Sequence, residues 1–190
     1  MMKKIIITML LVFLAFPVYA QPDPLNAVES MVKSILEVLD HPELSLAEKK
    51  QQVSGRAQKF LSIDSMSQRT LGSYWSSATQ EQREHFTYLF TRILEETYLN
   101  RIDDYNGGTV RYLQQRVKDD RAIVDTVIIA DELELPVQYR MVYEQQNWRV
   151  FDIVIDGVSL IMNYRASYGE IIRSKGYDGL FRLMEERVAG

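Results

Sequence analysis

The sequence predicts an α+β fold in which several helices wrap a curved, four-stranded antiparallel sheet. Three observations predict it. Apolar residues recur at helical spacing from residue 23 to about 102, the period changes to two between about 109 and 156, and helical spacing returns as far as about 188.

The first helix opens at Asp23, an N-cap residue followed by Pro24, whose missing N–H costs nothing at the first helical position. Leu25, Val28, Met31, Val32, Ile35 and Leu39 form its apolar stripe, and Asp40-His41-Pro42 stops it. Ser45 and Glu48 stand at capping-box spacing and open a second helix, with Val53, Ala57, Phe60 and Leu61 along one side. A short third helix starts at Asp64 and runs through Met66, Leu71 and Tyr74. Thr79 and Gln82 repeat the capping box before Phe86, Leu89, Phe90, Ile93, Leu94, Thr97 and Tyr98, a wide apolar face.

Asn106-Gly107-Gly108 is a turn signal, and strands follow at roughly 109–118, 121–130, 133–144 and 148–156. Asp119-Asp120 and Gln145-Gln146-Asn147 are the expected hairpin turns. In the third strand Leu133, Leu135, Val137, Tyr139, Met141 and Tyr143 alternate with the other face. Pro136 in that strand requires an edge or a bulge. The fourth, from Trp148 to Ile155, is apolar on both faces and is expected to be covered twice. Helical segments over about 158–175 and 178–188 complete the chain, with Gly107, Gly108 and Gly169 as candidate hinges.

Residues 1–20 have the form of a secretory signal. Lys3-Lys4 precede the apolar run Ile5 to Phe16, and Pro17-Val18-Tyr19-Ala20 suggests cleavage after Ala20. Its removal leaves 170 of the 190 residues, read as one domain over 21–190, with a helical half at about 23–102 and the sheet with its terminal helices at about 109–188. It also takes away two lysines and no acid, so the charge moves from −4 to −6. That acidic balance argues against nucleic-acid binding. The absence of cysteine excludes a disulfide framework, a thiol nucleophile and a cysteine-bound metal.

No catalytic motif is present: there is no Gly-x-Ser-x-Gly elbow, P-loop or dinucleotide fingerprint. His41 falls in a turn and His85 on a helix face, neither with a partner at metal-ligand spacing. Asp103-Asp104 and Asp119-Asp120 are paired acids in turn contexts. Asp152 alternates with apolar residues in the fourth strand and admits two readings, a base facing a cavity or a partner of Arg140 across the hairpin. Arg101, Arg111, Arg116, Lys118 and Arg121 gather around the first hairpin, either as a solvated face or as a surface for acidic partners or headgroups.

Two blocks carry a family resemblance. Residues 148–168 follow a Trp-basic-apolar-x-Asp strand (Trp148 to Asp152), then Gly157-Val158-Ser159-Leu160, then Asn163-Tyr164-Arg165. Leu71-Gly72-Ser73-Tyr74-Trp75, followed by Gln82, Phe86, Phe90, Leu94 and Tyr98, forms the second. Together they resemble the MlaC family, also called toluene-tolerance or auxiliary transport proteins of the Mla lipid-transport system. Ser167-Tyr168 departs from the Gln and Phe expected after the arginine.

The resemblance implies an NTF2/cystatin-like sheet with a lipid cavity between it and the helices. It implies a periplasmic carrier that takes a diacyl phospholipid between an outer-membrane lipoprotein complex and an inner-membrane ABC transporter with an MCE-family ring, and so maintains outer-membrane lipid asymmetry. The carrier is expected to act as a monomer, without cofactor, metal or catalysis. Lipid contacts are then expected from Phe86, Phe90, Leu94 and Tyr98, from Val137, Tyr139, Met141, Val150 and Ile153, and from Leu160, Ile161 and Tyr164. Arg165 has two readings, a contact to the headgroup phosphate or a clamp on Asp152, Asp156 or Glu170. Two rival readings are a small-cavity isomerase or hydrolase using Asp152, and an adaptor with a solidly packed sheet.

Overall fold

Local capping sets the order of the helices. The structure, a computed structural model, describes residues 21–100, 102, 107–130 and 133–189. The signal segment, Arg101, Asp103, Asp104 and Asn106 lie outside the described residues. Asp23 accepts from the Leu25 N–H at 2.9 Å to open α1 (Pro24–Leu39). Ser45 and Glu48 close a capping box on α2 (Leu46–Gln58), and Thr79 and Gln82 close another on α5 (Gln80–Leu99). Between them lie α3 (Ile63–Leu71) and the single turn α4 (Tyr74–Ser77). The expected third helix does not run through to Tyr74, because Gly72, at φ +58°, ends it.

The sheet holds five strands in the order β1 (Thr109–Lys118), β2 (Arg121–Ala130), β3 (Leu133–Glu144), β4 (Asn147–Ile155) and β5 (Val158–Ser159), every pair antiparallel. Four were expected. The fifth is two residues long and occupies the start of the expected helix, where Val158 faces Ile155 across the ladder. The β3–β4 hairpin turns on Gln145 and Gln146 alone, at φ +49° and +63°, the signs of a type I′ turn. The Pro136 carbonyl accepts from the Asp156 N–H at 3.0 Å, just past the last residue of β4, so the missing proline N–H faces a side where pairing has ended. An unpaired extra residue, Phe151, bulges β4 between Val150 and Asp152.

The chain closes with α6 (Leu160–Ala189), which breaks at Gly176 (φ +68°), between the two helical segments expected over about 158–175 and 178–188. Both faces of β4 are covered. Val150, Ile153 and Ile155 pack with Val28 and Met31 of α1 in one cluster, while Phe151 packs against a second cluster built from α3, α5 and α6. A rivet joins helices to sheet where the Ser62 N–H meets the Val150 carbonyl and the Val150 N–H meets the Phe60 carbonyl, each at 2.8 Å. Among the described residues no helix is long and apolar enough to cross a membrane.

Candidate functional site

The two clusters leave a gap between them, a cavity of about 460 Å³ between the sheet and the helices. Its walls are the stripes of three helices and one sheet face. Met31, Ile35 and Leu39 come from α1, Val53 and Ala57 from α2, and Leu94, Tyr98 and Leu99 from the second half of α5. The sheet supplies Ile128, Tyr139, Ile153 and Ile155, and Leu61, Ile63, Met66 and Leu160 close one end. The strand period explains the sheet wall: Val124 faces Tyr139 and Tyr139 faces Ile153, so the apolar row stays on one face across three strands. Burial in this wall pushes the Tyr139 phenol up to about 12, with the neighbouring Tyr112 adding to the effect.

Apart from the phenols of Tyr98 and Tyr139, polar lining is gathered in one place, the seam between α2 and α5, where Ser54 and Gln58 face Thr91 and Glu95. The Glu95 carboxylate gathers the donors there. Ser54 Oγ and Gln58 Nε2, the latter at 2.9 Å, donate to one oxygen, and Arg92 donates to the other at 3.0 Å.

Of the residues expected at a lipid site, Leu94, Tyr98, Tyr139, Ile153 and Leu160 meet around this cavity. Phe86, Phe90, Ile161 and Tyr164 do not. They belong to the helical cluster, where the Phe86 and Phe90 rings stack at 5.5 Å and Tyr164 meets Phe90 edge-on at 5.3 Å. Val137, Met141 and Val150 fill the sheet cluster with α1. The α1 and α2 walls were visible as amphipathic stripes in the sequence, but nothing in a stripe says whether its neighbour is a side chain or a void.

Asp152 lies on the opposite face from the cavity, opposite Arg140 in the ladder. It accepts from Arg140 at 3.1 Å, from Ser159 Oγ at 2.7 Å and from the Ile161 N–H at 3.1 Å. Its oxygens are thus committed to holding β4, β5 and the start of α6 together, which corrects the reading of Asp152 as a base in a cavity. Ser159 in turn caps α6 through the Met162 N–H at 3.1 Å.

Arg165 stands apart from both. It lines a separate polar cleft of about 290 Å³ with Ser73, Tyr74, Glu170 and Arg173, and among the described residues it has no ion-pair partner. The clamp on Asp152, Asp156 or Glu170 is therefore not formed. Instead the guanidinium lies over Gly72, where a Cβ would come within 2.5 Å of Nε. The two sequence blocks singled out above meet at this contact. The arginines of the first hairpin are paired at the surface, Arg111 with Glu134 at 3.1 Å, Arg116 with Asp125 at 3.0 Å and Arg121 with Asp120 at 3.4 Å. His85 lies 3.2 Å from Glu185 on the α5–α6 surface.

A family model described as MlaC protein matches residues 29–186, from within α1 to the last turn of α6. The chain belongs to the MlaC family. Among MlaC relatives, the intermembrane phospholipid transport system binding protein MlaC of Haemophilus influenzae is 23% identical over 136 residues, 68% of this chain. The match spans 64% of that relative's length. A solved structure is similar along nearly its whole length: a phospholipid-binding protein from Ralstonia solanacearum in complex with a phospholipid. Its TM-score is 0.81 at 25% identity, covering 88% of this chain and 98% of that one. The MlaC fold accounts for the order of elements, with the cavity at the junction of sheet and helices.

Proposed function

We propose that the chain is a phospholipid carrier that holds the acyl chains of a diacyl lipid in the cavity between the sheet and α1, α2 and α5. The observation that carries this reading is the cavity itself, walled by apolar side chains except at one seam, in a fold shared with a protein solved around a phospholipid. The energetics favour such a wall. Two sixteen-carbon chains expose roughly thirty methylenes, each worth about 0.8 kcal/mol on leaving water, so bare passage through water costs on the order of 20 kcal/mol. A carrier has only to match the bilayer interior, which an apolar cavity with few polar groups does.

The carrier works in the periplasm after cleavage behind Ala20. It exchanges lipid with an outer-membrane lipoprotein complex on one side and an MCE-family ABC transporter complex of the inner membrane on the other, which maintains outer-membrane lipid asymmetry. Lipid carriage needs no chemical step, and the side chains at the cavity hold and release rather than react. The test is Ile153→Asp, which puts a carboxylate into the cavity wall at a half-buried position. The folded variant is expected to take up no labelled phospholipid from vesicles. Full uptake by the folded variant would contradict this placement of the acyl chains.

A further inference from the structure

Which wall yields when lipid enters is written in how each is fastened. A cavity of about 460 Å³ falls in the range of roughly 300–1,000 Å³ that encloses drug-sized ligands, and a diacyl phospholipid is larger than those. A wall must therefore move. The first half of α5 is anchored by Phe86, Leu89, Phe90 and Ile93, all buried, and α1 by Val28, Met31 and Val38. By contrast α2 buries Val53 alone. Its polar ties fall on two lines. Arg56 fixes it to α1 through the Ser34 carbonyl at 2.6 Å and Glu37 at 3.3 Å, joined by Lys49 on the Leu39 carbonyl. Ser54 and Gln58 fix it to Glu95 of α5, and Lys50 reaches Asn100, the C-cap of α5, at 3.3 Å. Its C-terminal end runs into the rivet on Val150.

We infer that α2 is the moving wall and that Glu95 is a positioning residue which holds the α2–α5 seam shut and sets the rate of lipid exchange. The inference rests on the carriage reading and deepens it. The rivet and the Arg56 contacts form the hinge side, and the seam forms the opening side. The polar lining of the cavity coincides with that seam because these groups face water when α2 swings out. One carboxylate acts as common acceptor for donors from α2 and from α5 itself, so its loss removes two of the α2 ties at the seam together and leaves the exposed Lys50–Asn100 contact.

The experiment loads wild-type, Glu95→Ala, Glu95→Gln and Ser54→Ala/Gln58→Ala proteins with pyrene-labelled phosphatidylglycerol. Transfer to acceptor vesicles of phosphatidylethanolamine and phosphatidylglycerol is then followed. Glu95→Ala is expected to transfer at least roughly tenfold faster, tenfold being the factor for one charge-assisted hydrogen bond where the variant loses two across the seam, at unchanged lipid stoichiometry. Glu95→Gln, which keeps an acceptor oxygen, falls between. The α2-side double variant matches Glu95→Ala, and combining all three changes adds nothing further, since both sides cut the same tie. Loaded variants that transfer at the wild-type rate, or effects that simply add, overturn the seam. A wild-type protein that takes up no lipid overturns the carriage reading first, and this inference with it.

Discussion

The carboxylate of Asp152 accepts from the backbone N–H of Ile161 at 3.1 Å, which ties β4 to the first turn of α6. The same carboxylate holds Ser159 and Arg140, so one buried acid joins strand, turn and helix. Asp152→Ala strands the Ile161 N–H in a buried position and leaves Arg140, itself about a third exposed, without its partner. The expected cost is about 3 kcal/mol, measured as a shift of the urea midpoint. Asp152→Asn, which keeps the shape and one acceptor, is expected to cost less. A substitution without effect on stability would remove Asp152 from its joining role.

Gly72 stops α3 at a positive φ and receives the Arg165 side chain against its backbone. Gly72→Ala asks an L-residue to sit at φ +58°, ψ −123° and pushes the guanidinium away, at an expected cost of about 1–3 kcal/mol. Gly55, inside α2 with no atom within 4 Å of the place a methyl group would take, is the control. Gly55→Ala is expected to raise stability by about 0.5–1 kcal/mol through helix propensity. Thermal melts of the two variants should therefore move in opposite directions.

Tyr139 supplies a dependence on alkaline pH. Burial raises its folded pKa from 10.0 to about 12, so the folded state favours the neutral phenol. The stability this contributes is complete below pH 10 and is lost as pH rises from there through about 12. Urea unfolding across that window should show a falling stability that is shallower in Tyr139→Phe. An equal slope in both proteins would assign the alkaline loss to other groups.

The elements that could be read in the sequence were those set by local chemistry. The boxes Ser45–Glu48 and Thr79–Gln82 and the cap at Asp23 depend on neighbours a few residues away, and each helix starts where they put it. The break at Gly72 lies against a distant partner, Arg165, and was not legible. The short β5 is missed for a different reason: Val158 pairs with Ile155 only three residues back across the Asp156-Gly157 turn, where the apolar spacing reads as the start of a helix. The same division explains the site. One apolar face of α5 serves two neighbours in turn: Phe86 and Phe90 pack against α6, while Leu94 and Tyr98, further along, border the cavity. Periodicity shows the face but not the point where its neighbour changes. Arg165 is exposed on α6 and faces away from the cavity, a direction that only the helix phase relative to α3 and α4 decides.

Native mass spectrometry of the mature protein, purified from periplasm without detergent and then solvent-extracted, tests the central claim most directly. Lipid carriage predicts a stoichiometric diacyl phospholipid that survives gel filtration. Folded protein that is empty, and that stays empty when offered phospholipid vesicles, would contradict it.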